Sequence, residues 1–345
     1  MKKRRKLLII GALDFKNMDS GGQLVKTREL YYLFTENKYF DSVQYLDTCD
    51  WKKTFFYKIF ILLYRMIKSN YIIMLPAHNG LKFFSRFIPL FKKNKKIYYD
   101  VIGGWLYDKA KNNNHLVKKL KLFDGIFVET SSMKAGLNQL GIKNVYVIPN
   151  FKKIEYVEEE SYSFTYPLKL CTFSRVVKEK GIGEAIRAVV SVNNQIGYEA
   201  FSLDIYGQID ELYANDFNQL MRNSPEYIKY CGLVETKRSS NVLKNYYMLL
   251  FPTKFYTEGI PGTFIDAYVA GLPVITALWM NCSDVFIEEE NGFGYAFDDE
   301  NGLQKCLMKA YIQKEKVVSM RKKCKEKAIM FSRENAFEKL TKIIE

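Results

Sequence analysis

Residues 258–276 read EGIPGTFIDAYVAGLPVIT. They imply a loop, a helix and a strand, in that order. Glu258 is followed by Gly259, Pro261 and Gly262, a composition suited to a tight loop. TFIDAYVAGL reads as a helix with Ala267, Ala270 and Gly271 on a close-packing face. PVIT, behind that glycine, reads as the next buried strand. Asp266 lies eight residues beyond Glu258, which puts a second carboxylate about two turns into the helix. Free N–H groups at a helix start suit phosphates, and paired carboxylates suit sugar hydroxyls. The plain alternative is an ordinary loop and helix of an α/β domain.

The same alternation of apolar runs and helical patterns extends in both directions. KLLIIGA (6–12), SVQYLDT (42–48), YIIMLP (71–76), KIYYDVI (96–102), GIFVET (125–130) and VYVIP (145–149) read as buried strands. A second series follows: LKLCTFS (168–174), FSLDIYG (201–207), YIKYCG (227–232), YYMLLFP (246–252), PVITA (273–277) and GYAF (294–297). Such alternation argues for parallel sheets with helices on both faces. The fold class is therefore α/β, with two Rossmann-like domains, 1–155 and 156–345. The stretch 150–168, charged and without period, is the linker. The last helix is allowed to pack back on the N-terminal domain. No capping box marks a boundary near Ser332.

Three further motifs sit at strand ends. In FSRVVKEKGIGEAIRAV (173–189), Arg175 and Lys180 flank a loop and Gly181 opens a helix. Two cations at a strand-to-helix turn can clamp a diphosphate, Arg as a fork and Lys as a point charge. Surface loops are also commonly basic. In LDFKNMDSGGQLVKTREL (13–30), Gly21 and Gly22 precede a helix and let backbone approach a phosphate closely. The spacing is not GxGxxG, so no dinucleotide fingerprint is present. Gly103 and Gly104 follow KIYYDVI, where α/β sheets bind ligands. His78 ends YIIMLPAH and can line a binding site or simply cap a strand.

Segment 258–276 resembles the acidic-x7-acidic motif of retaining glycosyltransferases of family 4. That family carries Glu at both positions; here the second is Asp266, one methylene shorter. Arg175 and the Lys180–Gly181 pair resemble the family's Arg, four residues, Lys-Gly pattern. Gly21–Gly22 resembles its first glycine loop, and Pro149–Asn150 its turn before the linker. The histidine that many members carry near Gly103 has no counterpart. The resemblance is good over 165–300 and loose in the N-terminal half.

It implies a GT-B fold, two domains facing across a cleft, with donor on the C-terminal domain and acceptor on the N-terminal one. It implies that Arg175 and Lys180 bind the donor's diphosphate, Glu258 faces the transferred sugar and Asp266 holds the ribose. Gly259, Gly262 and Thr263 are expected among the substrate-binding residues. Gly21, Gly22, Gly103 and His78 complete the substrate-binding set. The donor is a nucleoside diphosphate sugar, and the acceptor a lipid-linked or oligosaccharide glycan of bacterial surface-polysaccharide assembly. No metal and no cofactor are expected, and configuration is retained.

Composition agrees. The chain has 345 residues and a formal charge of +14, which calls for an anionic partner. Residues 51–99 contain no Asp or Glu but many Lys and aromatics. WKKTFFYKIFILLYRMIKS and LKFFSRFIPLFKKNKK both read as basic amphipathic helices suited to an anionic membrane surface. The alternative is that both pack on the sheet with solvated lysines. No nucleic-acid module is visible, so nucleic acid is not expected. Six scattered cysteines and two histidines suit a reducing compartment without zinc. LLIIGAL is too short for a secretory leader, so the expected location is cytoplasmic, at the inner face of the plasma membrane. A catalytically silent subunit binding an anionic glycan or partner enzyme, and a GT-B nucleotide-sugar epimerase, remain as alternatives.

Overall fold

The computed structural model describes residues 4–15, 21–49, 51, 54–155 and 163–344. Part of the loop before Gly21, part of the linker, and Lys52 and Lys53 lie outside them. The chain divides into two compact units, one of Met1–Lys153 with Phe331–Glu345, the other of Ile154–Met330.

In the first unit, β1 (Lys6–Gly11), β2 (Ser42–Asp47), β3 (Tyr71–Met74), β4 (Lys96–Asp100), β5 (Gly125–Val128) and β6 (Val145–Val147) form one sheet. Its order is β2-β1-β3-β4-β5-β6, all parallel. The second unit holds β7 (Leu168–Phe173), β8 (Phe201–Tyr206), β9 (Ile228–Gly232), β10 (Met248–Phe251), β11 (Val274–Leu278) and β12 (Gly292–Ala296). Their order is β12-β11-β10-β7-β8-β9, again parallel. Each strand falls on a segment expected to be one, with only its ends shifted. A parallel strand covered on both faces is apolar throughout, which is why the runs are readable.

Alternation along β1 splits the first unit's core into two layers. Leu7 and Ile9 face a cluster with Leu33, Phe34, Ala336, Leu340 and Ile344. Leu8 and Ile10 face the opposite cluster, with Leu62, Met66, Leu120 and Leu137. The first layer thus takes its cover from the Gly22–Glu36 helix and the C-terminal helix Arg333–Ile344. Arg333 fastens the two helices through Glu29 at 2.6 Å and Glu36 at 2.8 Å. The C-terminal stretch does have a boundary: Lys314–Ala328 ends, a turn covers Ile329–Phe331, and a new helix starts. Ser332 Oγ accepts the N–H of Asn335 at 3.1 Å, an N-cap that needs no partner glutamate.

The basic stretch 51–99 folds differently from expectation in one half. Phe55–Lys68 is a helix. Residues 81–96 are not one amphipathic helix but His78–Phe84, Ile88–Phe91 and two 3-10 turns. Pro89, at the start of the second short helix, lacks the N–H that would continue the first.

Lys26, on the Gly22–Glu36 helix, is 1% exposed. Its ammonium donates to Val101 O at 2.8 Å and pairs with Asp100 at 2.9 Å and Glu129 at 3.1 Å. One cation thereby ties the first helix to the ends of β4 and β5. Burial pushes the Asp100 carboxyl up to about 6, against the pull of Lys26. Replacing Lys26 by Met would leave two buried carboxylates without a counter-charge. Lys26→Met is expected to cost about 3–5 kcal/mol of stability in urea unfolding. A loss below about 1 kcal/mol would mean that the cluster is not held by this pair.

Candidate functional site

In a doubly wound sheet, ligands bind beyond the carboxyl ends of the strands where the winding reverses. In the second unit the chain runs outward through β7, β8 and β9 and then restarts at β10 beside β7. The reversal therefore lies between β7 and β10. The loop after β7 carries Arg175 and Lys180, and the loop after β10 carries Glu258, Gly259 and Gly262. The two motifs singled out in the sequence meet at this point.

Backbone contact joins the two loops. Lys254 N–H donates to Glu179 O at 2.7 Å. Gly181 has φ +70°, and a Cβ there would stand 2.0 Å from Pro252 O. Only glycine allows this approach. Lys180 Nζ then reaches both oxygens of Glu258, at 3.0 and 2.9 Å. The Lys180 and Glu258 side chains are 11% and 18% exposed. The ammonium also sits 5.0 Å from the ring centre of Phe251 and 5.2 Å from that of Phe255. Arg175 is exposed and has no ion-pair partner among the described residues.

Glu258 is held from two further sides. Thr253 Oγ1 donates to its carboxylate at 3.2 Å. Asn281 Nδ2 donates to its carbonyl at 2.7 Å. Both residues are buried. Sequence reading did not single out either. Thr253 follows β10, where the strand-end rule points. Asn281 sits beyond β11, and no local spacing links it to Glu258.

The helix after the loop is Gly262–Val269. Asp266 is therefore about one turn in, not two. Its residue is 8% exposed. Pro261 occupies the N-cap and offers no side-chain acceptor to the first N–H groups. Thr263 Oγ1 donates to Phe173 O at 2.6 Å, fixing the helix start to the end of β7. Gly271 lies past the helix rather than on its face. It adopts φ +64°, with Leu272 N–H bonding Ala267 O and Gly271 N–H bonding Tyr268 O. That is a Schellman stop.

In the first unit the reversal lies between β1 and β3. Gly21 and Gly22 follow β1, His78 follows β3 and Gly103 follows β4. Gly21 has φ −58°, and no atom lies within 4 Å of a Cβ built on Gly22. The fold of this unit does not require glycine at either place. Gly103 does need its left-handed φ of +77°. His78 Nδ1 is buried without a hydrogen-bond partner, and its ring meets Trp105 edge to face at 5.6 Å. Burial, helped by Lys82 and Lys109, lowers its pKa. All six cysteines are free thiols. Among the described residues no group of three His, Cys, Asp or Glu could hold a metal ion.

Gly181 and Gly197 separate strain from steric conflict. Gly197 has φ +90° with nothing within 4 Å of its Cβ. Gly197→Ala is expected to lose about 1 kcal/mol, from backbone strain alone. Gly181→Ala is expected to lose about 1–3 kcal/mol more, because Pro252 must move. Urea midpoints check the order. A Gly181 variant no weaker than the Gly197 variant would mean that the loops can part without cost.

Residues 167–312 match the family described as glycosyl transferases, group 1. No curated protein matches the chain. Among solved structures, a mutant of S. aureus TarM in complex with fondaparinux, alpha-GlcNAc-glycerol and UDP is 18% identical, with a TM-score of 0.63 over 79% of this chain. The chain covers 55% of that protein, so it spans about half the length of TarM. Anabaena HepE, solved with UDP-glucose, is 12% identical with a TM-score of 0.70 over 98% of both chains. Sucrose-phosphate synthase from Thermosynechococcus elongatus is 14% identical, with a TM-score of 0.75 over 99% of this chain and 98% of its own. At these identities the likeness is one of fold.

Proposed function

We propose that this chain, whose residues 167–312 match the group 1 glycosyl transferases and whose two parallel α/β units have the GT-B fold, is a retaining glycosyltransferase of surface-glycan synthesis. It moves a sugar from a nucleoside diphosphate sugar to a lipid-linked or oligosaccharide acceptor, in the cytoplasm at the inner face of the plasma membrane. The observation that carries this reading is the meeting of Lys180 and Glu258 across the two loops at the β7/β10 reversal, with Arg175 exposed on the first of them. TarM and HepE, similar in fold, have been solved in complex with UDP together with a glycan or glucose, which supports the choice of donor class. No helix among the described residues is long and apolar enough to cross a membrane.

Each residue has a role in this reading. Arg175, exposed in the loop after β7, meets the donor's diphosphate, and the start of the Gly262–Val269 helix, which has no side-chain cap, adds N–H donors from Gly262 and Thr263. Lys180 shares its charge between the diphosphate and Glu258. Glu258, fixed by Thr253 and Asn281, faces the transferred sugar, with Gly259 beside it in the substrate-binding loop. Asp266 takes the ribose. Gly21, Gly22, Gly103 and His78 serve the acceptor side. As the bond from the sugar's anomeric carbon to phosphate oxygen breaks, the acceptor oxygen bonds on the same face. The acceptor's proton passes to a phosphate oxygen. The two cations stabilise the charge that develops on the leaving diphosphate, so no metal ion and no protein nucleophile enters the scheme.

Nucleoside diphosphate sugars bearing uridine, guanosine or adenosine should be compared with CMP-sugars by thermal shift. One diphosphate donor is expected to raise Tm as ligand binding to the folded state requires. Arg175→Ala and Lys180→Ala are expected to fold and to lose about 10²–10³ in turnover. Asp266→Asn should weaken nucleotide affinity in calorimetry, whereas Glu258→Gln should mainly depress turnover. An inverted anomer in the product by NMR, or wild-type turnover in folded Arg175→Ala, would overturn the assignment.

A further inference from the structure

The Phe55–Lys68 helix turns an apolar face to solvent. Phe56, Tyr57, Phe60, Tyr64 and Ile67 are 80, 71, 72, 61 and 63% exposed. Positions 56, 60, 64 and 67 repeat at helical spacing, and 57 lies beside them, so the five make one stripe about a third of the helix wide. Scattered exposed apolar residues are normal; a continuous row of five is not. The opposite side is apolar too, with Leu62 and Met66 buried in the core.

The cations between the two faces are turned away from solvent. Lys58 donates to Cys49 O and Arg65 to Tyr45 O. The outward stripe therefore carries no charge until Lys68, whose ammonium lies 5.9 Å from the centre of the Tyr64 ring. Segment 78–96 runs alongside. Phe83 packs on Phe55 with centroids 5.9 Å apart, and Lys95 donates to Ile67 O at 2.9 Å. This segment exposes Lys82, Arg86, Leu90, Lys93 and Lys96, and no Asp or Glu occurs anywhere in 51–99.

We infer that the outward face of the Phe55–Lys68 helix seats in the surface of an anionic lipid bilayer, its aromatic stripe entering the headgroup layer and Lys68, Lys82, Arg86, Lys93 and Lys96 meeting the lipid phosphates. The inference deepens the membrane part of the proposed function by naming the surface. Charge selects the occupant. A second copy meeting this face two-fold would set two acid-free cation clusters against each other, whereas anionic headgroups complement them. A 14-residue helix with one aromatic face lies in the interface and does not span it. Lys92 and Lys95 are spent on the carbonyls of Leu122, Ile67 and Ser69, so the electrostatic share falls to the five exposed cations.

The test is co-sedimentation of the full chain with mixed phosphatidylglycerol–phosphatidylcholine vesicles and with phosphatidylcholine alone. Binding to the mixed vesicles is expected, weakening as salt rises. Phe56→Gln/Phe60→Gln/Ile67→Gln should lower the partition coefficient at least about tenfold. Lys82→Gln/Arg86→Gln/Lys93→Gln/Lys96→Gln should abolish the preference for mixed vesicles. All altered side chains are exposed, and both variants should keep the wild-type melting point and its shift with donor. That retained shift separates failure of this inference from failure of the glycosyl-transfer reading. No binding at low salt, equal binding to both vesicle types, an unchanged aromatic variant, or lipid-free dimerisation that the aromatic variant removes would each overturn the inference.

Discussion

A strand joins a parallel sheet only by crossing over it, so every strand ends at the same edge. Where the winding reverses, two neighbouring loops are left with no crossover between them. In the second unit those loops follow β7 and β10, and residues 78 positions apart become contact partners there. The polar chemistry at that edge depends on this topology. Gly181 lets one loop touch the backbone of the other, Lys254 bonds across, and Lys180 then finds Glu258. Remove the close approach and the ion pair has no frame.

The pair also has a physical logic of its own. An ammonium close to two aromatic rings gives up part of its hydration, and the carboxylate facing it supplies the opposite charge. Glu258 in turn is held by two buried residues with hydroxyl and amide donors. Arg175, on the same loop as Lys180, has no ion-pair partner among the described residues and is exposed. One cation is therefore held by the protein's own carboxylate, and the other faces solvent.

Much of this was legible in the chain. Strands buried on both faces are apolar without interruption, so their positions could be read one by one. Arg175, Lys180, Gly181 and Glu258 could be read because they lie at strand ends. Lys26 could not. A single lysine on a helix gives no sign that its partners include Glu129, 103 residues away. Asn281 was missed for the same reason. The Phe55–Lys68 helix was recognisable as basic and amphipathic, but periodicity does not say which apolar arc faces inward. Tertiary packing chose Leu62 and Met66, and carbonyls of the adjacent chain claimed Lys58 and Arg65. Helix ends were the weakest part, since Gly271 acts through its left-handed backbone and Ser332 through a side-chain cap without a partner glutamate, and composition displays neither.

The C-terminal helix has a consequence for how the molecule is made. Leu340 and Ile344 complete a core layer begun by Leu7 and Ile9, yet all of Ile154–Met330 is translated in between. At about 5–20 residues per second, the N-terminal sheet waits roughly ten seconds or more with Leu33, Phe34 and their neighbours uncovered. The second unit, contiguous in sequence, has no such wait. The order of emergence from the ribosome thus differs from the order of completion: the half synthesised first is finished last, and it is the half whose nascent form needs protection from aggregation.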